Sequence, residues 1–193
     1  MWWAELLNTV LGSLSSGVAA STSSYESIAS ATGTGSSATI TFSSIPSTYK
    51  HLQFRWIMRS TFASSSAITL KIQLNSDTGS NYAYHSLNAD GAAVSASGSS
   101  SQSDIRITTG MAGNSMTANI VGTGIIDIQD YASTTKTKTL KSFSGIDTNT
   151  TTGQIGMSSG LWNSTSAMNS ITFTANNGSF GTTTQIALYG IAG

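Results

Sequence analysis

A Ser–His–acid nucleophile in this chain would have to be built on His51 or His85, the two histidines of the sequence. Serines occur throughout, so a serine close to either ring says little. Neither histidine lies in a recognisable nucleophile elbow, and the body is expected to hold no G-x-S-x-G. His51 stands in an alternating run opposite large apolar residues, where a cross-strand or surface role is the ordinary outcome. His85 follows the face made by Tyr82 and Tyr84, a position suited to packing or to an interface. Paired carboxylates are the other route to acid–base chemistry. Asp127 and Asp130 are close in sequence, but their odd spacing on a strand sends them to opposite faces. Asp104 and Asp147 could meet from a distance as a glycosidase pair, and eight acidic residues leave such pairs unranked. Asn75, Asp77 and Asn81 carry oxygens that could hold Ca²⁺, yet their spacing departs from a calcium-binding loop and fits an Asx-rich turn. There is no cysteine, which excludes disulfides and thiolate metal sites. The expectation is a chain with no catalytic residue, no metal site and no cofactor.

Charge narrows the partners. Eight basic residues cancel eight acidic ones, and charged residues are only 8% of the chain, against about 25% in an average soluble domain. No block of Lys or Arg offers a footprint for a phosphate backbone, so nucleic acid is not an expected partner. The nearest approach is Lys136, Lys138 and Lys141; the first two share one strand face and the third falls on the other, as on a solvated edge strand. Low net charge gives little repulsion between copies, which favours self-association.

The elements that must position these residues read as strands. Over 38–59, Ile40 and Phe42 alternate with Thr39 and Thr41. The only proline, Pro46, then forces a corner. Beyond it Leu52, Phe54, Trp56 and Met58 make one continuous apolar face. Ile68, Leu70, Ile72 and Leu74 repeat the pattern, 75–81 forms a turn, and Tyr82, Tyr84 and Ser86 share the face of a further strand. The segment 90–103 (DGAAVSASGSSSQS) reads as an exposed loop. Ile105 to Ile107 make a short strand. In 118–131, Ile120, Gly122, Gly124, Ile126 and Ile128 share a face, with glycines that predict a bulge or a close backbone approach. Strands follow at 137–146, 153–162, 171–174 and 184–191. About ten short strands with regular turn signals predict an all-β, antiparallel β-sandwich of the jelly-roll kind. The 193 residues suffice for one such domain, burying about 70% of its unfolded surface. We place it over 25–193.

Residues 1–24 differ. Trp3, Leu7, Val10 and Leu14 follow a helical spacing with Trp2, Leu6 and Leu11 beside them, the stripe of a short amphipathic helix. Glu5 and the lack of a basic start argue against a signal peptide, although Val18-Ala19-Ala20 resembles a cleavage site. The run is too short to span a membrane, which takes about 20 apolar residues. A docking peptide is the better reading, with those seven residues as its contact face and 12–24 as a Gly/Ser/Ala linker. Exposed, Trp56 or Trp162 could stack on a sugar, but both lie in core-like patterns. The Asn-x-Ser/Thr triplets at Asn149, Asn163 and Asn177 need a eukaryotic secretory context that nothing else in the sequence supports.

The runs 38–52 (ATITFSSIPSTYKHL), 77–82 (DTGSNY), 159–162 (SGLW) and 187–191 (ALYGI) resemble a group of small virion structural proteins of tailed bacteriophages of aquatic bacteria. The resemblance covers about residue 25 to the C-terminus and leaves out 1–14. It implies a virion location, with other virion proteins as partners, and brings no catalytic residues. A capsid decoration or cement protein, trimeric and attached through its N-terminal segment, is the expected role. The alternative is a tail or tail-fibre component that binds a host glycan.

Overall fold

The computed structural model describes residues 24–149 and 153–193. Trp2, Trp3, Leu6, Leu7, Val10, Leu11 and Leu14, the expected docking residues, lie outside the described residues. All regular structure within them is β: β1 (Tyr25–Thr32), β2 (Thr39–Phe42), β3 (His51–Met58), β4 (Ile68–Leu74), β5 (Tyr82–Ala89), β6 (Val94–Gln102), β7 (Ile105–Met111), β8 (Gly122–Gln129), β9 (Lys138–Ile146), β10 (Gln154–Trp162), β11 (Ile171–Ala175) and β12 (Gln185–Ile191). They form two antiparallel sheets, one of eight strands in the order β1-β12-β3-β8-β9-β10-β5-β6, the other of four in the order β2-β11-β4-β7. The chain keeps changing sheet: β2, β4, β7 and β11 belong to the small one, and the segments between them to the large one.

The core sits between the sheets and is set by the alternation in β2, β3, β4 and β11. Leu52, Phe54 and Met58 are sealed from solvent, and Trp56 nearly so. Phe54 meets Phe42 and Phe173 edge-on at ring separations of 5.5 and 5.2 Å, the geometry that aromatic quadrupoles favour. The Trp56 indole donates to the Gly110 carbonyl at 3.0 Å. Beneath the same indole lies Gly124 of β8, its cross-strand neighbour, where a Cβ would stand 2.1 Å from the ring. The glycines of β8 therefore do mark a close approach. At the Pro46 corner, Ile45 is buried and the Tyr131 hydroxyl donates to the Pro46 carbonyl. Residues 75–81 form the expected Asx-rich turn: the Asp77 carboxylate accepts from Gly79 N, Asn81 Nδ2 and Trp162 Nε1 at 2.7–2.9 Å. Those donors hold its carboxyl below the usual carboxylate range, the Trp162 bond contributing most.

Two expectations are corrected. Residues 90–103 are not a loop: β6 occupies Val94–Gln102 and pairs along β5. Its side chains are nearly all exposed, so backbone hydrogen bonds hold this edge strand rather than any apolar stripe. The lysines 136, 138 and 141 do not mark an edge, because β9 lies inside the sheet between β8 and β10. Lys138 is buried, and its ammonium donates to the carbonyls of Ser133 and Lys136 at 2.7 Å and of Thr165 at 3.4 Å. Burial lowers its pKa.

Candidate functional site

β9 and β10 are built from residues that invert the usual sandwich. Facing the small sheet are Ser142, Ser144, Gly156, Ser158 and Gly160; facing outward are Phe143, Ile155 and Met157. Small residues inside let β7 come close. A Cβ on Gly156 would stand 2.1 Å from Thr109 Oγ1, and one on Gly160 would stand 2.5 Å from Ile105. Thr109 and Ser144 hydroxyls bond at 2.8 Å in this seam, and Ser142 Oγ is buried without a hydrogen-bond partner. No room remains there for large side chains, so the apolar ones occupy the other face.

Cross-strand register lines them up. One transverse row runs Arg55, Ile125, Phe143, Met157, Leu87, Ala96 from β3 to β6. The next runs Ile57, Thr123, Gly145, Ile155, Ala89, Val94. Phe143 is 50% exposed, Met157 55%, Leu87 49% and Ile155 47%. At about 4.8 Å per strand and about 3.3 Å per residue, the two rows run roughly 24 Å and stand about 7 Å apart. A single exposed leucine is ordinary; a contiguous apolar strip in mid-sheet is a candidate interaction surface. On one flank stands a polar row: Gln53, Asp127, Lys141, Ser159, His85. Gln53 Nε2 donates to Asp127 Oδ1 at 2.8 Å. Between the apolar and polar rows runs a groove of about 480 Å³.

The structure does not bring the candidate acid–base residues together. His85 and Asp127 share the polar row but stand three strands apart, about 14 Å, too far to pass a proton directly. His51 Nδ1 accepts from the Asp130 backbone N–H at 3.1 Å, a strand-end tie. Asp130, at a positive φ of 49°, is bridged by Lys50 and Lys136, which hold its carboxyl at about 2. Asp104 pairs with Arg106 at 2.9 Å beneath the Gly160 end of β10, whereas Asp147 follows β9 at the Gln154 end. The stretch of β10 from Gln154 to Gly160, about 20 Å, separates them, against less than about 10 Å for a glycosidase pair. The run Gly156-Met157-Ser158-Ser159-Gly160 does fit a G-x-S-x-G spacing, which corrects the expectation that the body has none. Ser158, however, lies inward in mid-strand rather than on a strand–helix turn, so the pattern has no elbow behind it. Trp162 is 3% exposed and tied to Asp77, so it is not placed to stack on a sugar.

Sequence reasoning also missed the strip. One signal was available: in 138–146 Phe143 is out of phase with Leu140 and Ile146, and in 154–162 Ile155 and Met157 are out of phase with Trp162. Among the described residues, no three His, Cys, Asp or Glu gather as a metal site, and no helix is long and apolar enough to cross a membrane. No protein-family model matches the chain, no curated protein matches its sequence, and no solved structure matches its fold.

Proposed function

We propose that this protein is a non-enzymatic structural component of a tailed-bacteriophage virion, a capsid decoration or cement protein that docks through residues 1–14. The observation that carries the reading is the inverted polarity of β9 and β10. A sheet with serines inside and Phe143, Met157 and Leu87 outside has a surface built to be covered. The resemblance of 38–52, 77–82, 159–162 and 187–191 to virion proteins supplies the assembly. A jelly roll is the fold that best accounts for the strand order. The order β2-β11-β4-β7 facing β3-β8-β5-β6 is that of a double Greek key, with the β9–β10 hairpin inserted between β8 and β5. Three copies about one axis would engage three docking segments at once, and such avidity needs no large individual interface.

Particles produced without residues 1–24 of this chain should lose the protein while their other components assemble; normal incorporation overturns the docking role. Copy number separates capsid from tail: on the order of hundreds per virion supports decoration, and about a dozen or fewer supports a tail component. Turnover of a polysaccharide by the purified chain would overturn the non-enzymatic reading.

A further inference from the structure

Among the described residues, Phe143, Met157, Ile155 and Leu87 form an exposed apolar strip, and the sequence of 1–14 carries an apolar stripe at helical spacing. We infer that in the free protein residues 1–14 lie across the strip made by Ile57, Ile125, Phe143, Met157, Ile155 and Leu87 of their own chain. The inference rests on reading 1–14 as a docking segment, on which the proposed function also relies.

Size, reach and charge select this occupant. Fourteen residues at helical spacing span about 21 Å with a width of about 10 Å, close to a strip whose two rows run roughly 24 Å and stand about 7 Å apart. A strip of that size offers at most a few hundred Å², well short of the roughly 800 Å² per partner that a stable globular interface takes. A second copy seated on it is therefore a poorer fit than one helix. The described chain starts at Ser24, at the edge of the same sheet, where Tyr25 is in line with Ile191, His51 and Gln129. From there to Phe143 is four strands across and four residues along, about 23 Å. The nine residues 15–23 reach up to about 30 Å extended. A tether that short holds the segment at millimolar effective concentration, which favours its own chain over a neighbour's. Glu5 is the only charged side chain of 1–14, and Lys141 borders the strip. Covered in this way, Trp2, Trp3 and the strip are hidden from other molecules until assembly exchanges one partner for another.

The chain has no native cysteine, so a crosslink can be placed at will. In dilute full-length protein, Leu7→Cys with Met157→Cys should form an intrachain disulfide at least about tenfold faster than Leu7→Cys with Thr41→Cys, which lies on the outer face of β2. Equal rates, or mainly interchain dimers, overturn the inference; dimers would make a second copy the occupant. An independent readout uses surface positions that leave the core untouched. In Phe143→Thr with Met157→Thr, two of the four tryptophans, Trp2 and Trp3, should become quenchable by acrylamide while Trp56 and Trp162 stay shielded. Unchanged quenching overturns it. If the crosslink fails but deletion of 1–24 still abolishes incorporation, this inference falls and the proposed function stands. If the crosslink forms and incorporation is normal without 1–24, the reverse holds.

Discussion

Phe54 and Phe143 are the same residue type in the same sheet, two strands apart, yet one is sealed and the other half exposed. Around Phe54 the opposing sheet supplies Phe42 and Phe173, and the layers stand apart by the thickness of large side chains. Around Phe143 the inward neighbours are Ser142 and Ser144, and β7 has closed up against them. The difference teaches that apolar residues go where volume is left for them. Near β3 that volume lies between the sheets; near β9 and β10 glycines and serines have removed it, and the apolar atoms face outward instead.

Several substitutions would break or sharpen this contrast. Phe54→Ala should cost about 3–5 kcal/mol, since it removes the centre of the aromatic layer and leaves a cavity; chemical denaturation measures it. Gly156→Val should cost about 1–3 kcal/mol by forcing β7 away from β10. An unchanged midpoint would mean that the seam is loose. Acid should act through Asp130. Its folded pKa of about 2 lies below the ordinary carboxylate value of about 3.9. The stabilisation is thus present above that ordinary value and lost as pH falls toward the folded one. Lys136→Ala removes the largest cause of the shift, so the variant should lose less stability than the parent between about pH 5 and pH 2, seen as converging melting temperatures. In the chain without residues 1–24, Phe143→Thr should change stability by less than about 0.5 kcal/mol, in contrast to Phe54→Ala. A cost near that of Phe54→Ala would place Phe143 in the folding core and end the comparison.

Much of the sandwich was legible. β3, β4 and β12 each bury one face, so Leu52 to Met58, Ile68 to Leu74, and Ile186 with Leu188 carry a clean two-residue period. β6 was not, because a strand held mainly by backbone bonds, with no buried apolar face, has no side-chain period to read. The site was illegible for a related reason. Ser142, Ser158 and Gly160 look like surface residues until β7 is known to press on them. A lysine at 138 looks solvated until the turn carbonyls of Ser133 and Lys136 are seen to surround it. Both depend on contacts between segments far apart or folded back, which local pattern does not encode.

That enclosed ammonium has a practical consequence. Of the chain's amines, the one on Lys138 is closed off by carbonyl oxygens and by the sheet itself, so an acylating reagent should modify exposed lysines such as Lys50 and Lys136 long before it. Its modification then requires the carbonyls of Ser133, Lys136 and Thr165 to move aside, which makes a single residue a chemical clock for local opening at the start of β9.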